Sequence, residues 1–216
     1  MAKSTDGGVS FSAAKRIATT IVAYDIGIPP FSERRALVYV SGAAYRTADK
    51  NLVHAVWMDL AGGAGCSSKN DEPGSNAQAP CKSRICFSRS LDGGTTWEPA
   101  RMLNNQASRN DQFNPWLALD ETNGRLFVVY YDTVGDPGRE NTNVWYQTSA
   151  DDGATWGAAQ KITTAPTDEE SAGADGNQYG DYIGVSGHAG KFFPAWTDRR
   201  HGRREEVWSI PITVDH

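Results

Sequence analysis

Ser149-Ala150-Asp151-Asp152-Gly153-Ala154-Thr155-Trp156 is one of three copies of the short pattern that decides the fold. The other copies are STDGGVSF at residues 4–11 and SLDGGTTW at residues 90–97, so the shared pattern is S-x-D-x-G-x-[ST]-[WF]. In such a pattern the Ser and Asp side chains bond the backbone of a tight turn, and the Gly supplies a positive φ. Three complete copies predict three equivalent hairpins, in which Asp6, Asp92 and Asp151 have a structural role.

Two further patterns repeat together with the hairpins. Apolar stretches that end in aromatic-x-Asp read HAVWMD, FVVYYD and FPAWTD at residues 54–59, 127–132 and 193–198. Each is typical of a strand, and its final Asp59, Asp132 or Asp198 is expected to cap the following turn. A second short strand follows each of them, as ICF, VWY and VWS at residues 85–87, 144–146 and 207–209. Cys86 stands where the other copies have Trp, which indicates a buried thiol.

The repeats divide one domain, residues 1–216, into the units 4–89, 90–148 and 149–211. A propeller blade is a four-stranded antiparallel sheet placed radially around an axis. The sequence therefore predicts an all-β chain, a β-propeller with three four-stranded antiparallel blades. In the second unit the strands are expected near 114–119, 126–132, 143–148 and 158–163. The unit boundaries fall between the third and fourth strands, so the N-terminal strand is expected to complete a last blade.

The hairpins resemble the Asp-box (bacterial neuraminidase) repeats of the sialidase superfamily. DQFNPW at residues 111–116 and YGDYIG at residues 179–184 are similar to segments of bacterial sialidase-like proteins. The resemblance covers nearly the whole chain and implies a ring of six blades, of which three are half. Either two chains form a homodimer that closes one six-bladed ring, or the chain is a fragment of a longer protein. The sequence leaves both alternatives open.

The resemblance also implies a glycan or another small carbohydrate as ligand. One expected function is that of an exo-glycosidase that releases terminal sialic acid. The alternatives are a non-catalytic carbohydrate-binding propeller and a propeller that binds only other proteins. The family's Arg-Ile-Pro motif is absent, and its nearest approach is AYRT at residues 44–47. That departure keeps the non-catalytic alternatives open.

The segments that lead into the inner strands differ between the repeats, so they hold the candidate site residues. Family sialidases use a Tyr nucleophile, a carboxylate base, an acidic Asp and three arginines that hold the substrate carboxylate. The resemblance implies Tyr182 or Tyr179 as nucleophile and Asp111 as general acid. Glu169 or Glu170 would be the base. The expected arginine clamp and the other substrate contacts are Arg46, Arg109, Arg199, Asn114, Tyr179 and Asp181. Turn formation is the competing interpretation, because Asn-Pro and Gly-Asp favour turns.

Composition excludes several classes of partner. The net charge of −5 and the pI near 5.4 argue against nucleic acid, and the one basic cluster, residues 199–204, lies among acidic side chains. No apolar run reaches the roughly 20 residues of a membrane helix, so no membrane partner is expected. No Cys or His pair has the spacing of metal ligands, so neither a metal nor a cofactor is expected.

The cysteines bear on the cellular compartment. Cys66 and Cys81 flank a polar insertion, and a disulfide between them is favoured over the alternative of three free thiols. This bond and the family resemblance suggest a secreted or cell-surface protein. The first residues, MAKSTDGGVS, lack the apolar core of a secretory signal.

Overall fold

The computed structural model describes residues 1–171, 176–202 and 204–214 and shows an all-β chain. One 3₁₀ turn, Lys69–Asp71, is the helical element among these residues. None of the described helical residues forms a helix long and apolar enough to cross a membrane. The strands are β1 (Asp25–Ile26), β2 (Ala36–Leu37), β3 (Val40–Arg46), β4 (Asn51–Ala61), β5 (Lys82–Ser90), β6 (Arg101–Met102), β7 (Gln112–Leu119), β8 (Leu126–Asp132), β9 (Asn143–Ser149), β10 (Gln160–Lys161), β11 (Gly184–His188), β12 (Lys191–Asp198), β13 (Glu206–Ser209) and β14 (Ile212–Thr213).

Three antiparallel sheets follow one another along the chain, and a small ribbon of β1 and β2 precedes them. The first sheet has the order β3-β4-β5-β6 and the second the order β7-β8-β9-β10. The third contains β11, β12, β13 and β14. In the second sheet, β7 begins at Gln112, before the predicted start, and β10 covers only Gln160–Lys161 of the predicted 158–163.

The third sheet differs from the predicted blade because β13 and β14 lie along the same side of β12. Glu206 pairs with Asp198 in β12, and Thr213 pairs with Lys191 in the same register. The two segments are therefore one strand interrupted around Pro211, a residue that has no N–H to donate. Among the described residues this sheet has three strands abreast and no fourth.

Packing between the sheets explains the hydrophobic pattern of each second strand. All seven residues of β8 are buried, because the second sheet lies between the other two. Phe127 of β8 stacks on Tyr146 and on Phe192 of the third sheet, with ring centroids 4.7 and 4.6 Å apart. Burying each such ring stabilises the fold by about 2 kcal/mol. In β12 buried and more exposed residues alternate, so the outer face of the third sheet is open.

The three Asp-box hairpins have one hydrogen-bond pattern. In the first sheet the Asp92 carboxylate accepts the N–H of Thr96 at 2.8 Å and the hydroxyl of Thr96 at 2.7 Å. The hydroxyl of Ser90 donates to the same carboxylate at 2.8 Å. These bonds hold the pKa of Asp92 well below its usual range, and those from Ser10 and Ser4 lower the pKa of Asp6 to about 2. Asp151 has the equivalent partners Thr155 and Ser149.

The N-terminal Asp box closes a separate hairpin beside the first sheet. The N–H of Ser12 donates to Lys3 O and that of Lys15 to Met1 O, both at 2.8 Å. The ammonium of Lys15 donates to Thr95 O in the Asp box of the first sheet at 2.8 Å. The N-terminal strand therefore lies next to the first sheet and adds no strand to the third.

The polar insertion of the first sheet is tied at its base. A disulfide joins Cys66 to Cys81, with Cα atoms 5.5 Å apart, and Cys86 is a free, buried thiol. Gly74 N donates to Gly27 O at 2.9 Å, which docks the insertion on the segment before β2. The insertion thereby forms one side of the region where the inner strands begin.

Candidate carbohydrate-binding site

The inner strands β3, β7 and β11 lie side by side and begin at the same end of their sheets. We call this the entry end, and the end with the Asp boxes of the first two sheets the box end. Four buried rings close the entry end, with neighbouring centroids 5.0 to 5.1 Å apart: Phe31, Phe113, Tyr131 and Tyr179.

Tyr179 belongs to this core and is not accessible to a substrate. Its ring is fully buried, and its hydroxyl donates to Glu140 O at 3.4 Å and accepts a bond from Thr142 at 3.3 Å. Burial raises the pKa of its phenol well above the usual value. The structure therefore gives Tyr179 a packing position, which does not suit the nucleophile or substrate contact that the sequence suggested.

Three aromatic rings form a row near the start of the inner strands. Trp116 lies between Tyr39 and Tyr182, with ring centroids 6.3 and 6.0 Å away. Tyr182 is 65% exposed, whereas Trp116 is partly buried. We call these three residues the aromatic row.

Beside Trp116 and Tyr182 lies a cleft of about 290 Å³. The residues that line it are Trp116, Tyr182, Ile183, Gly184, Ala195, Trp196, Thr197 and Val207. No charged side chain occurs among these described lining residues. The cleft can therefore offer flat apolar surface and a few hydrogen-bonding groups, and it lacks a carboxylic acid for general acid–base chemistry.

Asn114 adds an unusual polar group next to the aromatic row. It lies in β7 where the pairing with β8 shifts between Phe113 and Trp116, and its φ is 48°. A non-glycine residue in this region is held there by its surroundings. The Asn114 side chain is buried, and neither its amide nitrogen nor its oxygen has a hydrogen-bond partner among the described residues. The amide is shielded from solvent, so its donors and its acceptor are left unsatisfied among the described residues.

Asp111 is held in a buried ion pair and is not placed to act as a general acid. Arg139 donates to its two carboxylate oxygens at 2.7 and 2.8 Å, and both side chains are almost fully buried. The N–H of Ser83 donates to the same carboxylate at 2.8 Å. The sequence suggested the acid without revealing Arg139, which lies 28 residues further along the chain.

The predicted carboxylate bases, Glu169 and Glu170, lie in the loop before β11, and their hydrogen bonds hold that loop in place. Glu170 accepts the N–H of Ser32 at 2.7 Å and the amide of Gln178. Glu169 is buried and accepts the hydroxyl of Thr167 at 3.0 Å. Burial raises the pKa of Glu169 to about 7. In the part of the chain that the structure describes, no hydrogen bond joins either carboxylate to Tyr182.

The predicted arginine clamp is not assembled, because its members lie in different places. Arg46 is the last residue of β3, at the box end, about 20 Å of strand away from the entry end. Arg109 is exposed and donates to Gln78 in the insertion at 3.1 Å. Arg199 is buried and donates to carbonyl groups of the loop before β11, including Ser171 O at 3.2 Å.

Asp181 lies beside the exposed Tyr182 but pairs with Arg34 of the segment before β2. This ion pair and the bond from Ser32 to Glu170 fasten the loop before β11 to the segment between β1 and β2. Asp181 therefore positions the loop that carries Tyr182, and it remains exposed enough for a ligand to reach.

Asp132 and Asp198 end their strands and bind the backbone of the following turn, whereas Asp59 lies two residues before the end of β4 and binds the segment before β1, so it does not cap the turn as expected. Asp59 accepts the N–H groups of Ile21 and Val22 at 3.0 and 3.1 Å. Asp132 accepts Val134 N at 2.8 Å, and Asp198 accepts Arg200 N at 2.8 Å. Burial raises the pKa of Asp132 to about 6.

Comparison with solved structures finds several that align with this chain. The chain is similar to an α-L-arabinanase of Penicillium chrysogenum, at 12% identity and a TM-score of 0.50 over 94% of this chain and 53% of that one. It is also similar to a Hadza microbial sialidase, at 17% identity and a TM-score of 0.49 over 80% of this chain and 35% of that one. A leech intramolecular trans-sialidase aligns at 11% identity and a TM-score of 0.46, over 96% of this chain and 46% of that one.

The chain has the fold of the sialidase-like propeller superfamily. At these identities the likeness concerns the fold alone. The chain spans between about a third and about half of the length of the three structures. No family model and no curated protein matches this chain.

Sequence reasoning missed the aromatic row as a unit. It singled out Tyr182 but not Tyr39 or Trp116, because their side-by-side placement depends on how the sheets pack. A partial signal was present, since Tyr39 and Tyr182 lie one and two residues before β3 and β11. Comparing the starts of the inner strands would have found these two residues but not Trp116, because the aromatic residue at the start of β7 is the buried Phe113.

Proposed function

We propose that this protein binds a carbohydrate through the aromatic row and the adjoining cleft. The exposed ring of Tyr182, in line with Trp116, is the observation that carries the proposal. The flat C–H face of a pyranose or furanose ring packs well on such side chains, which combine apolar area with a polar tip. The arabinanase of the same fold is described in complex with arabinobiose, which supports a sugar as the class of ligand.

Polar recognition would come from groups near the row. The unpartnered amide of Asn114 can both donate and accept, but it is buried, so it would reach a sugar hydroxyl through a bridging water molecule. The carboxylate of Asp181 can accept a further hydroxyl. The neutral lining of the cleft favours a sugar that carries no charge at the bound end, since a carboxylated sugar needs a bidentate cationic partner.

A sialidase-type hydrolase is the second candidate, and the exposure of the Tyr182 phenol favours it. In this alternative Tyr182 attacks the anomeric carbon, and its acid and base partners come from a larger assembly. A fluorogenic sialoside assay tests it. Turnover that Tyr182→Phe abolishes would support hydrolysis, and no turnover over a broad panel of glycosides would exclude it.

We also propose that the three sheets form half of a six-sheet ring. A second chain or a further part of a longer protein would supply the other half. The open outer face of the third sheet supports this proposal, because soluble proteins rarely leave such a face uncovered.

The carbohydrate proposal is tested by a glycan array followed by calorimetry with the best neutral oligosaccharide. We expect Tyr182→Ala to weaken binding about tenfold, which corresponds to about 1.4 kcal/mol. The matched control is Tyr24→Ala, because Tyr24 is 66% exposed and lies outside the cleft, whereas Tyr182 is 65% exposed. A wild-type protein that binds no glycan, or an equal loss in both variants, would overturn the proposal.

A further inference from the structure

The outer face and the edge of the third sheet are both open. Val207 of β13 is 82% exposed and Phe193 of β12 is 47% exposed. Along β13, the backbone groups that point away from β12 pair with no strand of the described chain. The second sheet covers the other face, so the open face is the one that a following sheet would cover.

The first sheet has a complementary slot on its own outer face. The N-terminal hairpin of residues 1–15 stands beside this face, where a preceding sheet would have its outer strands. The slot between hairpin and sheet has a volume of about 360 Å³. Its lining includes Arg16, Ile17, Tyr39, Val40 and Trp57.

The N-terminal hairpin repeats the hairpins of the other sheets residue for residue. In the first two sheets the third and fourth strands pair Phe87 with Arg101 and Tyr146 with Gln160. Met1 and Lys15 lie as far from the serine of the N-terminal Asp box as those residues lie from the serines of theirs. Met1 and Lys15 are likewise hydrogen-bonded to each other. The sequence SAAKRI at residues 12–17 matches GAAQKI at residues 157–162, which contains the fourth strand β10.

The hairpin also occupies the position of a preceding sheet. Arg101 in the fourth strand of the first sheet donates to Gly153 O in the Asp box of the second. Lys15, its equivalent, donates in the same way to Thr95 O in the Asp box of the first sheet. The hairpin is thus a fourth strand that has no second or first strand beside it in the described chain.

We infer that the slot of one chain receives the third sheet of a second copy of the same chain. This rests on the ring assembly proposed above and names the surfaces that would close it. Strand β13 of the partner lies against Arg16 to Ala18, and the outer face of its sheet covers the exposed Val40. Addition of a strand to an exposed sheet edge is a common mode of recognition.

The repeated register fixes the contacts of this interface. Ile162 N donates to Val144 O at 2.8 Å in the second sheet, and Leu103 N to Ile85 O at 3.0 Å in the first. The equivalent bond runs from Ile17 N to Val207 O of the second copy. Charge is complementary across the new pair of strands, because the exposed Arg16 lies diagonally opposite the half-exposed Glu206.

One local rearrangement is required. Met1 to Lys3 pair with the start of the N-terminal fourth strand and would meet Ser209 to Pro211 of the incoming sheet. Residues 1–3 are exposed, so they can be displaced at little cost. Each chain has one slot and one open third sheet. In a twofold pair, the third sheet of each copy therefore enters the slot of the other copy, and no slot or third sheet stays open.

The first test is the mass in solution by light scattering, over a range of protein concentrations. We expect twice the 23.4 kDa of one chain. Phe193→Asp is expected to shift the protein to monomer, whereas the control Leu91→Asp is not, although Phe193 is 47% exposed and Leu91 52% exposed. A wild-type monomer at all concentrations would overturn both this inference and the proposed two-chain ring, and it would leave the carbohydrate proposal standing.

The second test is disulfide trapping between two differently labelled chains. Thr163 and Asn143 touch in the second sheet at 2.8 Å, and their equivalents across the interface are Ala18 and Glu206. Mixing an Ala18→Cys chain with a Glu206→Cys chain is expected to give a cross-linked heterodimer under mild oxidation. A Ser186→Cys chain is the control, since Ser186 is exposed on the same sheet but far from the edge. A dimer that shows no cross-link above this control would overturn the interface alone.

Discussion

Arg139 binds Asp111 through both carboxylate oxygens, at 2.7 and 2.8 Å, and donates at the same time to two carbonyl groups of the insertion. The carbonyls belong to Ala79 and Cys81, at 3.2 and 3.0 Å. One guanidinium thus joins the insertion of the first sheet, the start of β7 and the loop after β8. Both charges are buried, so each depends on the other for its solvation.

Removing one member of this pair is expected to unfold much of the entry end. Arg139→Met leaves the Asp111 carboxylate buried without its counter-ion, which should cost about 3–5 kcal/mol of unfolding free energy in a urea titration. Arg34→Met is the matched control, because Arg34 pairs with the exposed Asp181 and should lose at most about 1 kcal/mol. Equal losses in both variants would contradict the structural role given to Asp111.

Stability is expected to fall as pH rises from about 4.5 to about 7, owing to Glu169. Burial raises the pKa of its carboxyl from the ordinary 4.5 to about 7 in the folded protein. The folded state therefore disfavours the charged form. The contribution of Glu169 is full below about pH 4.5 and is lost as pH approaches 7, a change of about 3 kcal/mol.

Glu169→Gln removes this titration, so the unfolding free energy of the variant should depend less on pH between 5 and 8. Asp132, whose pKa burial raises to about 6, is present in both proteins and cancels in the comparison. Urea titrations at several pH values measure both curves. Parallel curves would show that Glu169 does not titrate in this range.

The sequence could predict the strands because their pattern is local. The FVVYYD stretch is apolar throughout, which identifies a strand buried on both faces, and β8 covers it. The Asp-box pattern likewise predicts a turn from four neighbouring side chains. The missing fourth strand of the third sheet could not be predicted, because it depends on which chain segment lies next to β13.

The site could not be predicted to the same degree because its chemistry depends on distant partners. Asp111 was chosen for its charge, but Arg139 determines what that charge does. Arg46 and Arg199 both looked like members of an anion clamp, and only the sheet register separates them, one at the box end and the other within a loop at the entry end. Tyr182 was identified because the YGDYIG segment resembles one in sialidase-like proteins, and its exposure is a separate finding of the structure.

The disulfide between Cys66 and Cys81 is expected to hold the insertion in its docked position. It closes a loop of 15 residues, for which chain entropy gives a stabilisation of about 3 kcal/mol. The double variant Cys66→Ser, Cys81→Ser should therefore unfold at lower urea concentration, and reductant should then have no further effect. Cys86→Ala is the control for the remaining buried thiol. Unfolding of the wild-type protein at the same urea concentration with and without reductant would contradict this expectation.

Asn114 offers a test that separates stability from binding. Its φ of 48° suits glycine, and its buried amide has no hydrogen-bond partner among the described residues. Asn114→Gly relieves the backbone and removes the unpaired polar group, so it should raise the unfolding free energy by about 1 kcal/mol even after the entropy lost with glycine.

The same Asn114→Gly substitution should weaken binding of the neutral oligosaccharide about tenfold, because the amide that would reach the sugar through a bridging water is lost. Calorimetry and urea titration of one protein sample measure both effects. Thr122→Gly, at an exposed turn remote from the cleft, is the control for a general effect of glycine. A stable variant that binds as well as wild type would show that the strain at Asn114 serves the bend of β7 and not the ligand. A rise in unfolding free energy together with a loss of affinity would show that Asn114 serves recognition at a cost to the stability of the fold.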